Sequence, residues 1–325
     1  MLLEPMVLAR RVAGATIAVL AAALAASCGG GTEQVEPFVP QQVIVLGDET
    51  NLLTLDGRNY SVNGLNASGI PDCRVVPVWT QSVAAAWGYV FNECNPLNVT
   101  PARAVMRAGF NAKAADLKNQ IDAQLAVGPL TSKDLFTVLV GMHDIIELYE
   151  QYPGPKVCDK DARTSDPPVT LNDEVSLRGR RVAEQVNRLV AVGARVIVST
   201  VPELSLTPYA RAQEATVPGA TALLECLTYR FNARVRVDIL QDGRYIGLIL
   251  ADDLILVMAD QPANYGLKNV TDAMCTTAVP DCTTATLVPG ATAGSHLWAD
   301  DRRMGPVAHS QLYGLALTRA QRNPL

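Results

Sequence analysis

Three short stretches hold the side chains that could do chemistry. Gly47-Asp48-Glu49-Thr50 follows the apolar run Val43-Ile44-Val45-Leu46. Gly141-Met142-His143-Asp144 follows a second apolar run, Leu135 to Val140. Leu297-Trp298-Ala299-Asp300-Asp301-Arg302-Arg303 lies near the C-terminus. Together they offer carboxylates, an imidazole, a hydroxyl and guanidinium groups. Glu49 and Asp300 have the chemistry of an acid–base pair, and Thr50 that of a hydroxyl nucleophile. Asp48, Glu49, His143 and Asp300 are an oxygen and nitrogen donor set of the kind that holds a metal. Arg303 opposes that use, because a cation repels a cation.

Strands must position these groups. Val43 to Leu46 is apolar and mostly β-branched, the pattern of a short buried strand, and Gly47-Asp48 ends it with turn chemistry. Ala102 to Ala108, Leu135 to Val140, Arg195 to Thr200 and Tyr245 to Leu250 read as further strands, the last of them closing the sheet. Helical spacing appears from Trp79 to Trp87, Lys113 to Ala126, Asn172 or Asp173 to Leu189, Thr221 to Gln241 and Pro306 to Arg319. Trp79 and Trp87 read as core residues. Leu55-Asp56-Gly57-Arg58 predicts a hairpin turn with Tyr60 and Val62 on the return. Two irregular insertions, Pro153 to Pro168 and Ala263 to Gly294, read as loops. Strands alternating with helices predict a parallel sheet covered on both faces, a three-layer αβα sandwich. In such sheets ligands sit at the carboxyl ends of the strands.

In chain order these stretches resemble the SGNH (GDSL-type) hydrolases. Strand plus Gly47-Asp48 matches the first block. Gly109, in Ala108-Gly109-Phe110-Asn111-Ala112, resembles the second block's glycine. Gly141-Met142-His143-Asp144 matches the third block, Gly-x-Asn-Asp. Tyr265 to Cys275 resembles the segment before the last block, and Asp300 to Arg303 followed by Gly305-Pro306 matches the terminal Asp-x-x-His-Pro region. The resemblance spans nearly the whole mature chain. It implies a flavodoxin-like sheet and an ester hydrolase site.

The same resemblance exposes three departures. Glu49 stands where the family has its nucleophilic Ser, His143 where it has Asn, and Arg303 where it has the catalytic His. Asp300 and the glycines keep the family's residues. A carboxylate at the nucleophile position puts negative charge beside a hole built for an oxyanion. An Arg stays protonated and cannot serve as a general base. His143 can still donate a hydrogen bond, so Gly109 and His143 are the oxyanion-hole-like positions. The catalytic slots are Glu49, His143, Asp300 and Arg303. His296 and His309 read as structural. A lone buried Glu49 is costly, so Arg303 and His143 are expected to converge on it, with Asp300 also pairing to Arg303.

The N-terminus carries an export pattern. Arg10 and Arg11 precede the apolar run Val12 to Ala26, followed by Ser27-Cys28 and Gly29-Gly30-Gly31. The run is short for a membrane span, which takes about 20 residues. Small residues before Cys28 resemble a bacterial lipobox, with the usual Leu one place early at Leu24. The expected organisation is a signal peptide over 1–27, lipidation at Cys28, a tether over 28–42 and the hydrolase-like domain over 43–325. Gly29 after the Cys favours the outer membrane, facing the periplasm. The partners expected are thus the membrane, through the anchor, and a small-molecule or envelope ligand.

Six cysteines remain: Cys73, Cys94, Cys158, Cys226, Cys275 and Cys282. An even number in an exported protein predicts disulfides, and their connectivity stays open. Proximity favours Cys275–Cys282 and Cys73–Cys94, leaving Cys158–Cys226. No zinc-type spacing occurs, and no metal or cofactor is expected. The formal net charge of −5 argues against nucleic acid. The chain thus reads as an envelope lipoprotein whose esterase-like site is rebuilt for a binding or structural role. The alternative is an ester hydrolase, acting on acyl or acetyl esters with altered residues.

Overall fold

The computed structural model describes residues 38–322. Six parallel strands form the central sheet: β1 (Gln42–Gly47), β2 (Val90–Phe91), β3 (Arg103–Met106), β4 (Asp134–Leu139), β5 (Arg195–Ser199) and β6 (Ile246–Ile249). Their spatial order is β2-β3-β1-β4-β5-β6. Apart from the two-residue edge strand β2, this is the flavodoxin order, in which the chain reverses direction across the sheet at its first strand. β1 pairs with β3 on one side and β4 on the other. Its carboxyl end is therefore the switch point of the sheet.

Helices cover both faces. Ile44 and Leu46 of β1 point into a core shared with α2 (Leu117–Leu125), α3 (Met142–Gln151), α4 (Leu171–Ala191) and α6 (Ala220–Asp238). Val43 and Val45 point the other way, into a core built with α1 (Trp79–Ala85), α7 (Ala251–Asp260) and α8 (Pro306–Arg322). The strand alternates between two buried faces, which is why its sequence is continuously apolar. The result is the three-layer αβα sandwich that the alternating pattern predicts.

Several boundaries differ from the sequence reading. Phe38 is already buried and β1 begins at Gln42, so residues 38–42 belong to the folded body and not to a tether. Helix α4 starts at Leu171, with Thr170 as its N-cap in place of Asn172 or Asp173. Asp173 sits at the third position, where its carboxylate accepts from the Thr170 amide at 3.0 Å and completes a capping box. The Leu55–Arg58 segment makes a turn closed by one bridge, Leu53 to Asn59, and no hairpin. Helix α5 (Pro208–Glu214) lies in a stretch whose Pro and short length hid its periodicity.

β6 is not the last strand. β7 (Asn269–Ala273) and β8 (His296–Trp298) pair in a small parallel sheet, using part of the Ala263–Gly294 insertion. Residues 153–168 do form a surface excursion. The buried Arg230 guanidinium holds it, donating to the carbonyls of Asp159 and Ala162 at 2.7 and 2.8 Å. Three disulfides close loops of this body: Cys73–Cys94 and Cys275–Cys282, the pairs that proximity favours, and Cys158–Cys226, the pair they leave. Among the described residues no helix is long and apolar enough to cross a membrane. Cys28 and the export segment lie outside the described residues.

Candidate functional site

The carboxyl end of β1 needs glycine. Gly47 has φ +117°, and a Cβ there would collide with the Leu139 carbonyl oxygen at the end of β4. Gly141 has φ +133°, and a side chain there would strike the Phe231 ring. The two glycines let the β1 and β4 turns lie side by side. Gln120 of α2 adds a clasp, accepting from the Gly47 amide at 2.7 Å and donating to its carbonyl at 2.9 Å.

Asn51 locks the same corner. Its amide nitrogen donates to the Leu46 and Leu139 carbonyls at 3.2 and 2.7 Å, and its side-chain oxygen accepts from the Trp79 indole at 2.8 Å. Trp79 is therefore a core residue with one buried polar contact, and Asn51 is the residue that sequence reasoning missed. Nothing in its local pattern marked it, because its partners come from three elements.

The structure brings Glu49, His143, Asp300 and Arg303 together at this corner. Glu49 is the second residue after β1, and its side chain is fully buried. His143 enters from the second residue of α3 and donates through Nε2 to Oε1 and Oε2 of Glu49, at 2.8 and 2.9 Å. Because both acceptors are carboxylate oxygens, Nε2 carries the proton. Arg303 arrives on the loop after β8. Its Nε and Nη2 donate to Glu49 Oε1 at 3.0 and 2.5 Å, and its Nη1 donates to Asp300 Oδ2 at 2.6 Å. Asp300 also turns the loop, accepting from the Arg302 and Arg303 amides through Oδ1 at 3.0 and 2.7 Å. The guanidinium is thus clamped between two carboxylates.

Gly109 does not fill the role assigned to it. Its N–H donates to the Gly47 carbonyl at 2.9 Å and so belongs to the sheet edge. The amide that reaches the site is that of Asn111, which donates to Glu49 Oε2 at 3.0 Å. Asn111 has φ 56°, a left-handed conformation that Asn tolerates, and this conformation aims its amide inward. Of the two residues, His143 contacts Glu49 and Gly109 does not; the Asn111 amide does.

The two neighbouring carboxyls of the β1 turn are driven apart. Burial raises Asp48 to about 7, helped by the adjacent charge on Glu49. Burial also works against ionised Glu49, but the His143 hydrogen bond and the His143 and Arg303 charges outweigh it, and Glu49 falls to about 2. Asp48 Oδ1 accepts from the Thr50 amide at 2.9 Å, while its Oδ2 is buried with no partner. Below about pH 7 one charge is therefore held at Glu49 and a proton at Asp48. Asp144 is raised to about 6 by burial, even though it accepts from the Ala114 amide at 2.7 Å.

Tyr60 and Phe110 roof the cluster. The Tyr60 ring lies 5.8 Å from the Arg303 guanidinium and stacks on Phe110 at 5.1 Å. Thr50 is buried, and its amide is tied to Asp48. His309 lies fully buried in α8 and accepts from the Trp79 amide at 3.5 Å, with its pKa lowered to about 4 by burial. His296 bonds Ser295 Oγ at 2.8 Å. Neither touches Glu49. Among the described residues no three His, Cys, Asp or Glu side chains are arranged to hold a metal. At the cluster itself the place of a cation is taken by Arg303.

No family model and no curated protein matches this chain. Solved structures of similar outline exist. One is a member of the lipolytic protein G-D-S-L family from Veillonella parvula, 10% identical, covering 85% of this chain and 96% of that one, with a TM-score of 0.40. Another is a catalytic mutant of an acetylxylan esterase from Geobacillus stearothermophilus, 12% identical, covering 87% and 94%, with a TM-score of 0.39. The chain is similar in fold to both.

Proposed function

We propose that this protein is an envelope lipoprotein with a GDSL-type esterase-like fold that does not hydrolyse esters through a serine-type site. Its former catalytic corner serves as an internal ion cluster, and the protein acts by binding or by structural support. In this reading residues 1–27 direct export, Cys28 is acylated, and the folded body faces the periplasm from the outer membrane.

One observation carries the chemical part. The Glu49 carboxylate occupies the slot of the nucleophile and is saturated by His143, Arg303 and the Asn111 amide. These are the donors that a developing oxyanion would need. An anion built into the protein already holds them, so an ester carbonyl has neither a nucleophile to meet nor a free donor to polarise it. The base is lost as well, since a guanidinium keeps its proton at any ordinary pH.

The test is labelling of the full chain by a fluorophosphonate probe, with turnover of short-chain aryl esters measured in parallel. Wild type is expected to give neither. The double variant Glu49→Ser with Arg303→His, assayed alongside, restores the family's nucleophile and base beside Asp300. Labelling of the variant alone would locate the loss of activity at these two positions. Clear labelling of wild type would overturn the proposal.

A further inference from the structure

All strands of the central sheet run parallel, so their amino ends form a rim opposite the Glu49 cluster. The described residues begin at this rim, with Phe38 to Gln41 leading into β1. Three cations gather around that entry. Lys133 precedes β4 and Arg195 opens β5. Both lie against the Phe38 ring, Nζ at 6.0 Å and the guanidinium at 4.1 Å from its centroid. Arg103 opens β3, with its guanidinium 5.7 Å from the centroid of the Tyr89 ring. Tyr89 donates its hydroxyl to the Pro40 carbonyl at 2.6 Å, and the Gln41 amide donates to the Lys133 carbonyl at 2.8 Å.

None of the three meets a carboxylate among the described residues. Lys133 and Arg103 are exposed, and Arg195 is half-buried. The carboxylates of this rim are committed to other groups. Asp134 accepts from the Gln42 side chain at 2.7 Å and from the Thr131 amide at 2.6 Å. Asp242 is taken by Arg244 at 2.7 Å. The formal net charge of the chain is −5, so this surplus of positive charge is local.

An aromatic ring positions a cation without neutralising it, which leaves the charge for an anion outside. Cys28, the acylation site of the lipoprotein reading, precedes Phe38 by ten residues (38 − 28). The rim with the unneutralised cations is thus the one at which the segment after Cys28 joins the body. A surface of anionic lipid offers phosphates in a plane, and each Lys or Arg near it is worth about fivefold in binding. A nucleic acid needs a longer basic face than three residues supply. We propose that this rim docks on anionic lipid headgroups, with Arg103, Lys133 and Arg195 toward their phosphates, and that the Glu49 corner therefore faces away from the membrane. The membrane itself is taken from the lipoprotein reading.

The test uses the mature chain, residues 28–325, carrying Cys28→Ala and exported behind a cleavable signal so that its disulfides form. Without an acyl chain, its binding reads this rim alone. Acylation of wild type is read separately, from the mass of its N-terminal peptide, so the two readings fail independently. At about 20 mM salt the protein is expected to co-sediment with vesicles of equal phosphatidylglycerol and phosphatidylcholine, and not with phosphatidylcholine alone. Binding is expected to vanish at about 0.5 M salt, where the screening length is about 4 Å. Lys133→Glu and Arg103→Glu are each expected to weaken it by about fivefold or more at an unchanged unfolding temperature. Arg163→Glu, exposed on the 153–168 excursion, is expected to bind as the parent does. Equal binding to both vesicles, or rim variants that bind as the parent does, would overturn the docking. So would an equal loss in Arg163→Glu, which would make the attraction a matter of total charge. Glu33 and Glu36 lie upstream, outside the described residues. Binding that appears only after Glu33→Gln with Glu36→Gln would overturn it too, and give the cations to the chain's own leader.

Discussion

At the scale of residues, Glu49 is a buried anion that tolerates its position because of its partners. Removing one partner leaves an uncompensated charge, which costs about 3–5 kcal/mol at buried sites. Arg303 is 13% exposed and Glu49 fully buried, so little solvent screening reduces that figure. Arg303→Ala is expected to destabilise the protein by this order in urea unfolding, and Glu49→Ala combined with it to recover part of the loss. A double variant as unstable as the sum of both singles would show that the two do not act as a pair. Asp48 gives a pH-dependent counterpart. Its folded pKa, about 7, lies above its ordinary 3.8. The folded state therefore binds the proton more tightly, and stability from this group is present at low pH and falls as pH rises through that window. Glu49, lowered to about 2, behaves oppositely, and its contribution is lost only as pH drops below its ordinary range. Asp48→Asn is expected to gain steadily on wild type as pH rises from about 4 to about 7, and to keep that gain above it. Parallel stability profiles for the two proteins would refute the buried proton.

At the scale of elements, the loops are tied down by cross-links more than by regular structure. The three disulfides close loops of different length: sequence separations are 68 for Cys158–Cys226, 21 for Cys73–Cys94 and 7 for Cys275–Cys282. Loop-closure entropy ranks their contributions at about 4, about 3 and about 2 kcal/mol. Replacing each pair by Ser in turn is expected to lower stability in that order. A reversal, with the Cys275 pair the most costly, would mean that native packing around the β7–β8 sheet outweighs chain entropy. The excursion over 153–168 has a second clamp in Arg230. Its guanidinium gathers backbone carbonyls where no strand or helix does.

At the scale of the molecule, the two ends of one sheet carry different chemistry. The switch point at β1 holds the ion cluster, and the amino rim holds three cations that meet no carboxylate among the described residues. Wild type is expected to fractionate with membranes, and Cys28→Ala to be released or left unprocessed. A wholly soluble wild type with an unmodified terminus would end the lipoprotein reading.

Much of this molecule could be read from local pattern. Val43 to Leu46 announces a strand buried on both faces, and Gly47-Asp48 announces its end, because apolar β-branched runs and turn residues act within a few positions. The meeting of Glu49 and His143 follows from sheet order, since turns after the adjacent strands β1 and β4 must be neighbours, whereas Arg303 reaches them on the loop after β8, which belongs to a separate sheet. Two disulfide pairs, Cys73–Cys94 and Cys275–Cys282, followed from closeness along the chain, and Cys158–Cys226 was the pair they left. Other features exist only in three dimensions. Which amide faces Glu49 depends on the orientation of single peptide planes, and so Gly109 lost that place to Asn111. The clasp of Asn51 and the unpartnered oxygen of Asp48 depend on groups far apart in the chain. No periodicity encodes such contacts, because each is settled by how whole elements pack.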